Sequence, residues 1–366
     1  MSFGARALIR LGALRHNFQR IRDTASGAKV MAVVKANAYG HGLTTVAKGL
    51  PHADSFAVAR HPEAVALADS GIEQPIVLLE GVIDADELRD ALRRGFELVV
   101  HCERQIELLE EAGAGSAVVW LKLDTGMHRL GFDPGSIAAL MRRLQNCRAV
   151  GEIRFMSHLA NADDRTDDTT DRQIDLFRRI LTGFEGHVSI ANSPGLLAWP
   201  RAITAGHDVS RSWVRAGICL YGISPFAGSC GGDFGLEPVM EFSSRLIAVK
   251  ELKAGERVGY GGSWQAAADT VLGVVSVGYG DGYSRFLPSG TPLLVDGRRV
   301  TLAGRISMDM ATVDLGCGAA DKVGAPVTLW GPGLPVEEVA AHAGTIAYQL
   351  LCGVTHREQS EISDGI

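Results

Sequence analysis

The chain has 366 residues, enough for two domains or for one large barrel with an added module. Its composition, with 46% hydrophobic and 21% charged residues, is that of an ordinary globular protein and excludes a disordered or fibrous chain. The formal net charge of −6, without a dense stripe of lysine and arginine, argues against nucleic acid as a partner.

The amino-terminal region predicts neither export nor membrane insertion. Arg6, Arg10 and Arg15 interrupt the stretch in which a signal peptide needs an unbroken apolar run. No segment approaches the roughly 20 apolar residues of a membrane span. The six cysteines are scattered without a C-x-x-C pair, and the aspartate-rich segment 161–171 is interpreted as a solvated loop. We therefore expect a cytoplasmic protein with reduced thiols, no metal site and no membrane partner.

The first two thirds of the chain alternate apolar runs with segments of helical spacing. Apolar runs of four to eight residues without strict alternation are typical of strands buried on both faces. Between them, helical spacing appears in the alanine-rich segment 63–69 and in Ile174, Phe177 and Ile180. Eight such units predict a (β/α)₈ barrel of the TIM type over residues 11–230, with an open doubly wound sheet as the alternative. The eight runs are 30–35, 55–60, 75–80, 98–101, 117–123, 153–159, 187–193 and 213–222.

The pattern changes near residue 226. The glycine-rich stretch 226–237 is predicted to be a linker. Strand-like runs with glycine-rich turns follow it and predict a mainly β domain over residues 231–366, which we expect the amino-terminal segment 1–10 to join as a strand. Helical patterns return only at 336–343 and 346–352. The strand-like runs are 243–252, 270–277, 292–295, 299–302, 310–315 and 326–330.

Polar residues follow several of the predicted barrel strands at the end where such barrels gather functional groups. A single lysine at a strand end is most often a solvated cap, and a lone histidine is most often structural. Their coincidence at the same end of successive strands predicts an active site instead. They are Lys35 in the first unit, Lys122 and Arg129 in the fifth, His158 in the sixth, Asn192 and Ser193 in the seventh and Arg215 in the eighth.

Lys35 is the most informative of these residues. Apolar neighbours such as Val33 and Val34 lower the pKa of a lysine and make it a nucleophile toward aldehydes. Tyr39, four residues on, shares a face with Lys35 if the segment is helical, and its hydroxyl then suits a phosphate. Ser193 and the backbone amides of Gly217 and Ile218 complete a candidate phosphate site in the loops after the last two strands.

The run AVVKANAYGHG around Lys35 closely resembles the cofactor-lysine signature of alanine racemases. The resemblance implies a barrel followed by a β domain, bound pyridoxal 5′-phosphate, and a bacterial isomerase that interconverts L-alanine and D-alanine for peptidoglycan synthesis or alanine breakdown. It also implies a head-to-tail homodimer with active sites shared between subunits. It continues in family order from about residue 5 to about residue 355, through LDTGMHRLGF, MSHLANAD, IANSPG, VRAGICLYG, VGYGG, VGYGDGY, GRISMDM and IAYQLLCGV.

The resemblance assigns roles to individual residues. Lys35 matches the lysine that holds the cofactor as an internal Schiff base and serves as the base on the D-alanine side, and Tyr260 matches the tyrosine on the opposite face. Arg215 matches the arginine facing the pyridine nitrogen, with His158 as its support. The other matches are the phosphate contacts Tyr39, Ser193, Gly217, Ile218 and Tyr348, the substrate contacts Arg129, Met308 and Tyr279, and Lys122, a lysine carbamylated in many members. Tyr260, Tyr279 and Met308 are implied to complete the site of the partner subunit.

Three alternatives remain open at this point. A decarboxylase of similar barrel type would place an acidic group where Arg215 stands, and a carrier of the cofactor without catalysis would not need the β domain that bears Tyr260. A racemase of broader substrate range is the third. One feature departs from the family, because the chain ends in HREQSEISDGI where a basic, strand-like tail is usual. That departure puts the pairing of the last strand in doubt.

Overall fold

The structure is a computed structural model and describes residues 4–206, 208–355, 357 and 359–364. Within these residues the chain forms a closed barrel of eight parallel strands and a second, mainly antiparallel sheet. The barrel strands follow the opening strand β1 (Arg6–Arg10) and are β2 (Lys29–Val33), β3 (Ser55–Val58), β4 (Ile76–Leu78), β5 (Glu97–Val100), β6 (Ala117–Lys122), β7 (Val150–Met156), β8 (Val188–Ser189) and β9 (Ser212–Ala216).

Each barrel strand pairs in parallel with the next, and β2 pairs with β9 to close the ring. The predicted barrel is therefore confirmed, and the open doubly wound sheet is excluded. Every residue of β3, β4 and β5 is buried, because one face of each strand lies in the barrel interior and the other lies under the helices. This burial on both faces explains the apolar runs without alternation.

Most of the barrel's helices lie on its outside. In the helix Ala85–Arg94 (α5), the Asp84 side chain accepts hydrogen bonds from the first-turn amides of Asp86 and Glu87, and Leu88 and Ala91 face the core. The described helices include none with the length and hydrophobicity of a membrane-spanning segment. Those of the barrel are α1 (Leu11–Ala25), α2 (Lys35–Tyr39), α3 (Leu43–Gly49), α4 (His61–Asp69), α5 (Ala85–Arg94), α6 (Glu103–Glu111), α7 (Ile137–Asn146), α8 (Thr169–Ile180), α9 (Ser193–Ala198) and α10 (Pro200–Ile203).

The second sheet contains strands from both ends of the chain. Two helices, α11 (Val336–His342) and α12 (Ala347–Cys352), follow its hairpins. Short 3₁₀ turns lie at Pro134–Ser136, Val209–Arg211, Ile218–Tyr221, Gly231–Phe234, Tyr260–Gly262 and Tyr279–Asp281. The remaining strands are β10 (Met240–Leu252), β11 (Arg257–Val258), β12 (Trp264–Gln265), β13 (Thr270–Val275), β14 (Pro292–Val295), β15 (Arg298–Leu302), β16 (Ala311–Asp314), β17 (Pro326–Trp330) and β18 (Gln359–Ser363).

Strand β1 lies between β10 and β18, antiparallel to the first and parallel to the second. The acidic tail therefore pairs as a strand despite its departure from the family pattern. The acidic side chains of the tail pair with arginines near the start of the chain. Glu361 forms an ion pair with Arg6, and Asp364 lies 3.4 Å from Arg15. These contacts resolve the doubt that the tail sequence raised.

The end of the linker, at Glu237, packs against Gly222 of the barrel, where there is no room for a side chain. Gly222 has a φ of 83°, and a Cβ there would stand 1.7 Å from the carbonyl oxygen of Glu237. Gly113 offers a matched control, because its φ of 79° is similar but a Cβ there would have no other atom within 4 Å.

We expect Gly222→Ala to lower the free energy of unfolding by about 2 kcal/mol more than Gly113→Ala, because backbone must move to relieve the contact with Glu237. Denaturant titrations of the two purified variants under identical conditions measure this difference. Equal losses of stability in both variants would show that the chain does not pass this close to itself at Gly222.

Candidate active site

The residues singled out at the strand ends line one cavity of about 1300 Å³ at the carboxyl-terminal rim of the barrel. Tyr348 reaches the same cavity from α12, so both parts of the chain contribute to its wall. The sequence-predicted residues that line the cavity are Lys35, Tyr39, Lys122, Arg129, His158, Asn192, Ser193, Arg215, Gly217, Ile218 and Tyr348.

The segment after Lys35 is a left-handed turn. Ala36, Asn37, Ala38 and Tyr39 all have φ values of 53–54°. The segment is therefore helical but left-handed, and both Lys35 and Tyr39 line the cavity. Left-handed geometry costs roughly 1–2 kcal/mol for each residue with a Cβ, so neighbouring structure must hold the turn in place.

The turn packs against the second domain as well as the barrel. Gly40 has a φ of 82°, and a Cβ there would lie 2.2 Å from the carbonyl oxygen of Leu351 in α12. The imidazole of His41 is buried, and its Nδ1 lies 3.0 Å and 2.9 Å from the carbonyl oxygens of Ala38 and Tyr39. Burial lowers the pKa of His41 to about 4, so the ring is neutral and donates from Nδ1 to the turn.

Lys35 and Lys122 share the cavity with two arginines. Burial lowers the pKa of Lys35, and the nearby positive charge of Arg129 lowers it further. Burial likewise lowers the pKa of Lys122 to about 8, and the charges of Arg215, Arg129 and Lys35 act in the same direction. Both amines are therefore more readily deprotonated, and more nucleophilic, than a lysine in water.

Arg215 lies in β9 and is buried, and its guanidinium donates hydrogen bonds to other residues of the barrel. It donates to the Ser189 hydroxyl at 2.6 Å, to the Ser157 carbonyl at 2.7 Å and to the Ile190 carbonyl at 3.2 Å. Burial lowers the pKa of Arg215 to about 9, which still leaves it charged at neutral pH. The guanidinium is thus fixed in one orientation at the cavity floor.

His158 is the neutral partner of this arginine. Its Nδ1 lies 3.1 Å from Nη2 of Arg215, which can only donate, so Nδ1 accepts. Burial lowers the pKa of His158 well below its ordinary value, and the charges of Arg215 and Lys122 add to the effect. The remaining ring proton belongs on Nε2, because a neutral imidazole that accepts at one nitrogen donates at the other.

Hydroxyl and backbone amide donors meet at the other side of the cavity. The Gly217 amide donates to Oγ of Ser193 at 3.0 Å, and a Cβ on Gly217 would lie 2.8 Å from the Tyr39 hydroxyl. Glycine is therefore needed to keep this cradle open. Burial raises the pKa of Tyr39 and Tyr348, so both keep their hydroxyl protons and can donate to an anion.

Tyr260, Tyr279 and Met308 are the predicted residues that lie outside the described cavity wall. They stand on the second domain with exposed fractions of 67%, 40% and 53%. The Tyr279 amide donates to the Ser307 carbonyl at 3.1 Å, and the turn bearing Tyr260 lies against Arg305, so both tyrosines flank the loop 304–308, which includes Met308. Within one chain, the structure does not bring them to Lys35.

Sequence reasoning missed two residues that brace the site. The carboxylate of Glu63 accepts a hydrogen bond from the amide of Ala36, directly after Lys35. Gln173 of α8 is buried and accepts from Ala160 while it donates to the His158 carbonyl. Gln173 stands in an ordinary amphipathic helix and Glu63 in an alanine-rich one, and only the helix-start position of Glu63 hinted at a polar contact. No group of acidic, histidine or cysteine side chains among the described residues is arranged to hold a metal.

Comparisons with known proteins agree with this architecture. The family model described as "Alanine racemase, N-terminal domain" matches residues 9–225, and the one described as "Alanine racemase, C-terminal domain" matches residues 239–362. The chain is 50% identical over 359 residues to a protein of Vibrio parahaemolyticus named "Alanine racemase", covering 98% of each. It is 51% identical over 363 residues to a protein of the same name from Pectobacterium atrosepticum, covering 99% of each.

Solved structures are similar along the whole chain as well. The crystal structure of biosynthetic alanine racemase from Pseudomonas aeruginosa superposes with a TM-score of 0.94 at 42% identity, covering 99% of this chain and 100% of that one. A structure of alanine racemase from Acinetobacter baumannii gives 0.91 at 35% identity, with the same two coverages. By fold, site and full-length similarity, the chain belongs to the alanine racemase family.

Proposed function

We propose that this protein interconverts L-alanine and D-alanine with pyridoxal 5′-phosphate bound at Lys35. One observation carries the proposal: an amine of lowered pKa, a fixed guanidinium and a cradle of hydroxyl and amide donors face one cavity. In pyridoxal 5′-phosphate, the aldehyde matches the amine, the ring nitrogen matches the guanidinium and the phosphate matches the cradle of donors.

The donor set fits the cofactor. Tyr39, Ser193 and Gly217 present two hydroxyls and an amide in a pocket that a Cβ at Gly217 would fill, and Tyr348 adds a third hydroxyl. Because burial favours the protonated form of the tyrosines, they suit a phosphate as donors. Lys35, which follows β2, supplies the amine that holds the aldehyde carbon.

When bound, the cofactor supplies an electron sink that makes the Cα–H of alanine acidic enough to be removed. Lys35 then takes or returns the proton on the D-alanine face, and its lowered pKa provides the neutral amine that this requires. Tyr260 handles the proton on the opposite face. Two groups on opposite faces invert the configuration, whereas one group that stays on one side tends to restore it.

Arg129 contributes a positive charge for the substrate carboxylate, with the Met308 backbone and Tyr279 as further contacts. Lys122 lies among cations, and its own pKa is about 8. This lowered pKa favours the neutral amine, which reacts with carbon dioxide to form a carbamate. Such a carbamate would replace a repelling cation by an anion that orients Arg129. Carbamylation at Lys122 is thus part of the proposal.

We infer that the working unit is a homodimer in which the second domain of one subunit faces the barrel of the other. Lys35 lies in the cavity, whereas Tyr260, Tyr279 and Met308 are exposed and do not line it. Both sets are needed for the two-sided reaction, and a second copy can bring them together. A cytoplasmic location, and a role in D-alanine supply or in alanine breakdown, also stay predictions.

Wild-type protein with the cofactor should drive either enantiomer of alanine to an equal mixture, which circular dichroism follows directly. Tyr260→Phe should lower racemisation by about 10²–10⁴-fold, because it removes one of the two proton-handling groups. In D₂O this variant should still exchange the α-proton of D-alanine but not that of L-alanine.

Tyr283→Phe is the matched control for this experiment. It removes a buried phenolic hydroxyl on the same domain for which the described residues provide no hydrogen-bond partner. It should racemise at the wild-type rate. Equal α-proton exchange from both enantiomers by Tyr260→Phe would contradict the assignment of one face to each group.

Mixing two inactive variants tests the shared site. If Lys35 of one subunit works with Tyr260 of another, a mixed dimer of Lys35→Ala and Tyr260→Phe subunits holds one intact site. Random pairing of equal amounts should then restore about one quarter of wild-type activity, since half the dimers are mixed. The activity of the unfractionated mixture measures this recovery, and no recovery would place both groups within a single subunit.

Arg215→Glu should raise the amount of pyruvate released per racemisation turnover. A carboxylate can accept a proton shared with the ring nitrogen, whereas the guanidinium cannot, and a protonated ring draws more of the negative charge away from Cα. Pyruvate is measured with a coupled lactate dehydrogenase assay. Arg215→Lys keeps the cation and should leave the ratio near its wild-type value, and an unchanged ratio in Arg215→Glu would refute this role.

A further inference from the structure

We propose that Glu63 is a positioning residue for the reaction: its carboxylate holds the left-handed turn 36–39, and through that turn it sets the placement of Lys35 and Tyr39. The inference rests on the function proposed above for Lys35. It concerns a residue on α4, outside the strand ends, that contacts neither of the two proton-handling groups through its side-chain hydrogen bonds.

The two carboxylate oxygens of Glu63 join two neighbouring loops of the barrel rim. Oε1 accepts from the Ala36 amide at 2.7 Å, immediately after Lys35. Oε2 accepts from the amides of Ala59 at 2.9 Å and Arg60 at 3.1 Å, which follow β3. The side chain therefore fixes the first left-handed residue after β2 to the backbone that leaves the next strand.

The turn needs such a contact at its start. The carbonyls of Ala38 and Tyr39, near its end, are held by the ring of His41, and Gly40 packs on α12. The amide of Ala36 points instead toward α4 and meets Glu63. Because Ala36 carries a Cβ, it would relax to a right-handed or extended conformation if this amide were free, and Lys35 would turn with it.

Glu63 also acts on Lys35 through its charge. Its negative charge raises the pKa of Lys35, as does that of Glu80, against the larger lowering by burial and by Arg129. The charged and titratable groups that interact with Lys35 among the described residues include Arg129, Arg215, Lys122, His158, Cys352, Glu63 and Glu80. Both carboxylates therefore raise the pKa of Lys35, whereas the hydrogen bond from the Ala36 amide is accepted by Glu63.

This division provides a matched pair of variants. Glu63→Gln removes the charge and also places an amide donor against the amides of Ala36 or of Ala59 and Arg60, which breaks part of the clamp. Glu80→Gln removes a charge that acts in the same direction, and its carboxylate pairs with the exposed Arg60 at 3.7 Å. The comparison separates the effect of charge on Lys35 from the effect of geometry.

The charge effect has a definite sign. Loss of either carboxylate lowers the pKa of Lys35, so the amine stays neutral to lower pH. Lys35 acts as the base when D-alanine is the substrate. The acidic limb of the pH profile of kcat for D-alanine should therefore move to lower pH in both variants. A residue that only supports the fold would not move this limb.

The geometric effect should appear in Glu63→Gln alone. We expect the full-length holoenzyme with this substitution to release the cofactor at least about tenfold faster than wild type on dilution into an excess of a hydroxylamine that condenses with free aldehydes, with kcat falling more than KM rises. The visible absorption band of the cofactor bound at Lys35 reports the release without any need for turnover. Glu80→Gln should release it at close to the wild-type rate.

Glu63→Asp supplies the converse test and replaces Glu63→Gln if that variant does not fold. It keeps the charge near Lys35 but withdraws the oxygen from Ala36, so faster release is expected with the acidic limb unshifted. Wild-type release rates in both Glu63 variants, or equal release from Glu63→Gln and Glu80→Gln, would overturn the proposal. Failure of the wild-type protein to racemise alanine would instead refute the proposed function, because cofactor retention is measured separately.

Discussion

Closure of the parallel barrel is the constraint from which the site follows. All eight strands run in one direction around the ring, so their carboxyl ends meet at one rim. Lys35, Lys122 and Arg215 are far apart in sequence, yet chain direction alone brings them to this rim. Loss of solvent lowers the pKa of both lysines, and the positive charges of Arg129 and Arg215 lower it further. The same crowding of positive charge prepares the cavity for anions, such as a phosphate and a carboxylate.

The charges in the cavity also bear on the choice of reaction. Arg215 keeps its proton at neutral pH, and His158 beside it stays neutral, so neither can serve as a carboxylate would at a ring nitrogen. The four contacts of the guanidinium to Ser189, Ser157, Ile190 and His158 prevent it from swinging toward the substrate. If the proposed cofactor binds here, a site built in this way would favour proton transfer at Cα over protonation of the cofactor.

The barrel was predictable because strands buried on both faces leave continuous apolar runs, and the residues at their ends could be named from chain position alone. The hairpin of β11 and β12 was not predicted, since it has two-residue strands between glycine turns and no apolar run. The left-handed turn was also not predicted, because Ala36 and Ala38 carry no signal for positive φ and only Asn37, Gly40 and Gly42 hint at it. Its geometry is imposed by tertiary contacts.

Those contacts give the second domain a role within its own chain. The turn that carries Lys35 and Tyr39 packs on α12, where Gly40 leaves room for the Leu351 carbonyl and the rings of Tyr39 and Tyr348 lie 6.0 Å apart. A turn of four left-handed residues is costly by itself and persists only where its surroundings determine it. If α12 moved away from the barrel, the turn would lose this support and Lys35 would lose its placement. The domain that exposes Tyr260 thus also supports the turn that carries Lys35, so the placement of both groups in the proposed reaction depends on the same domain.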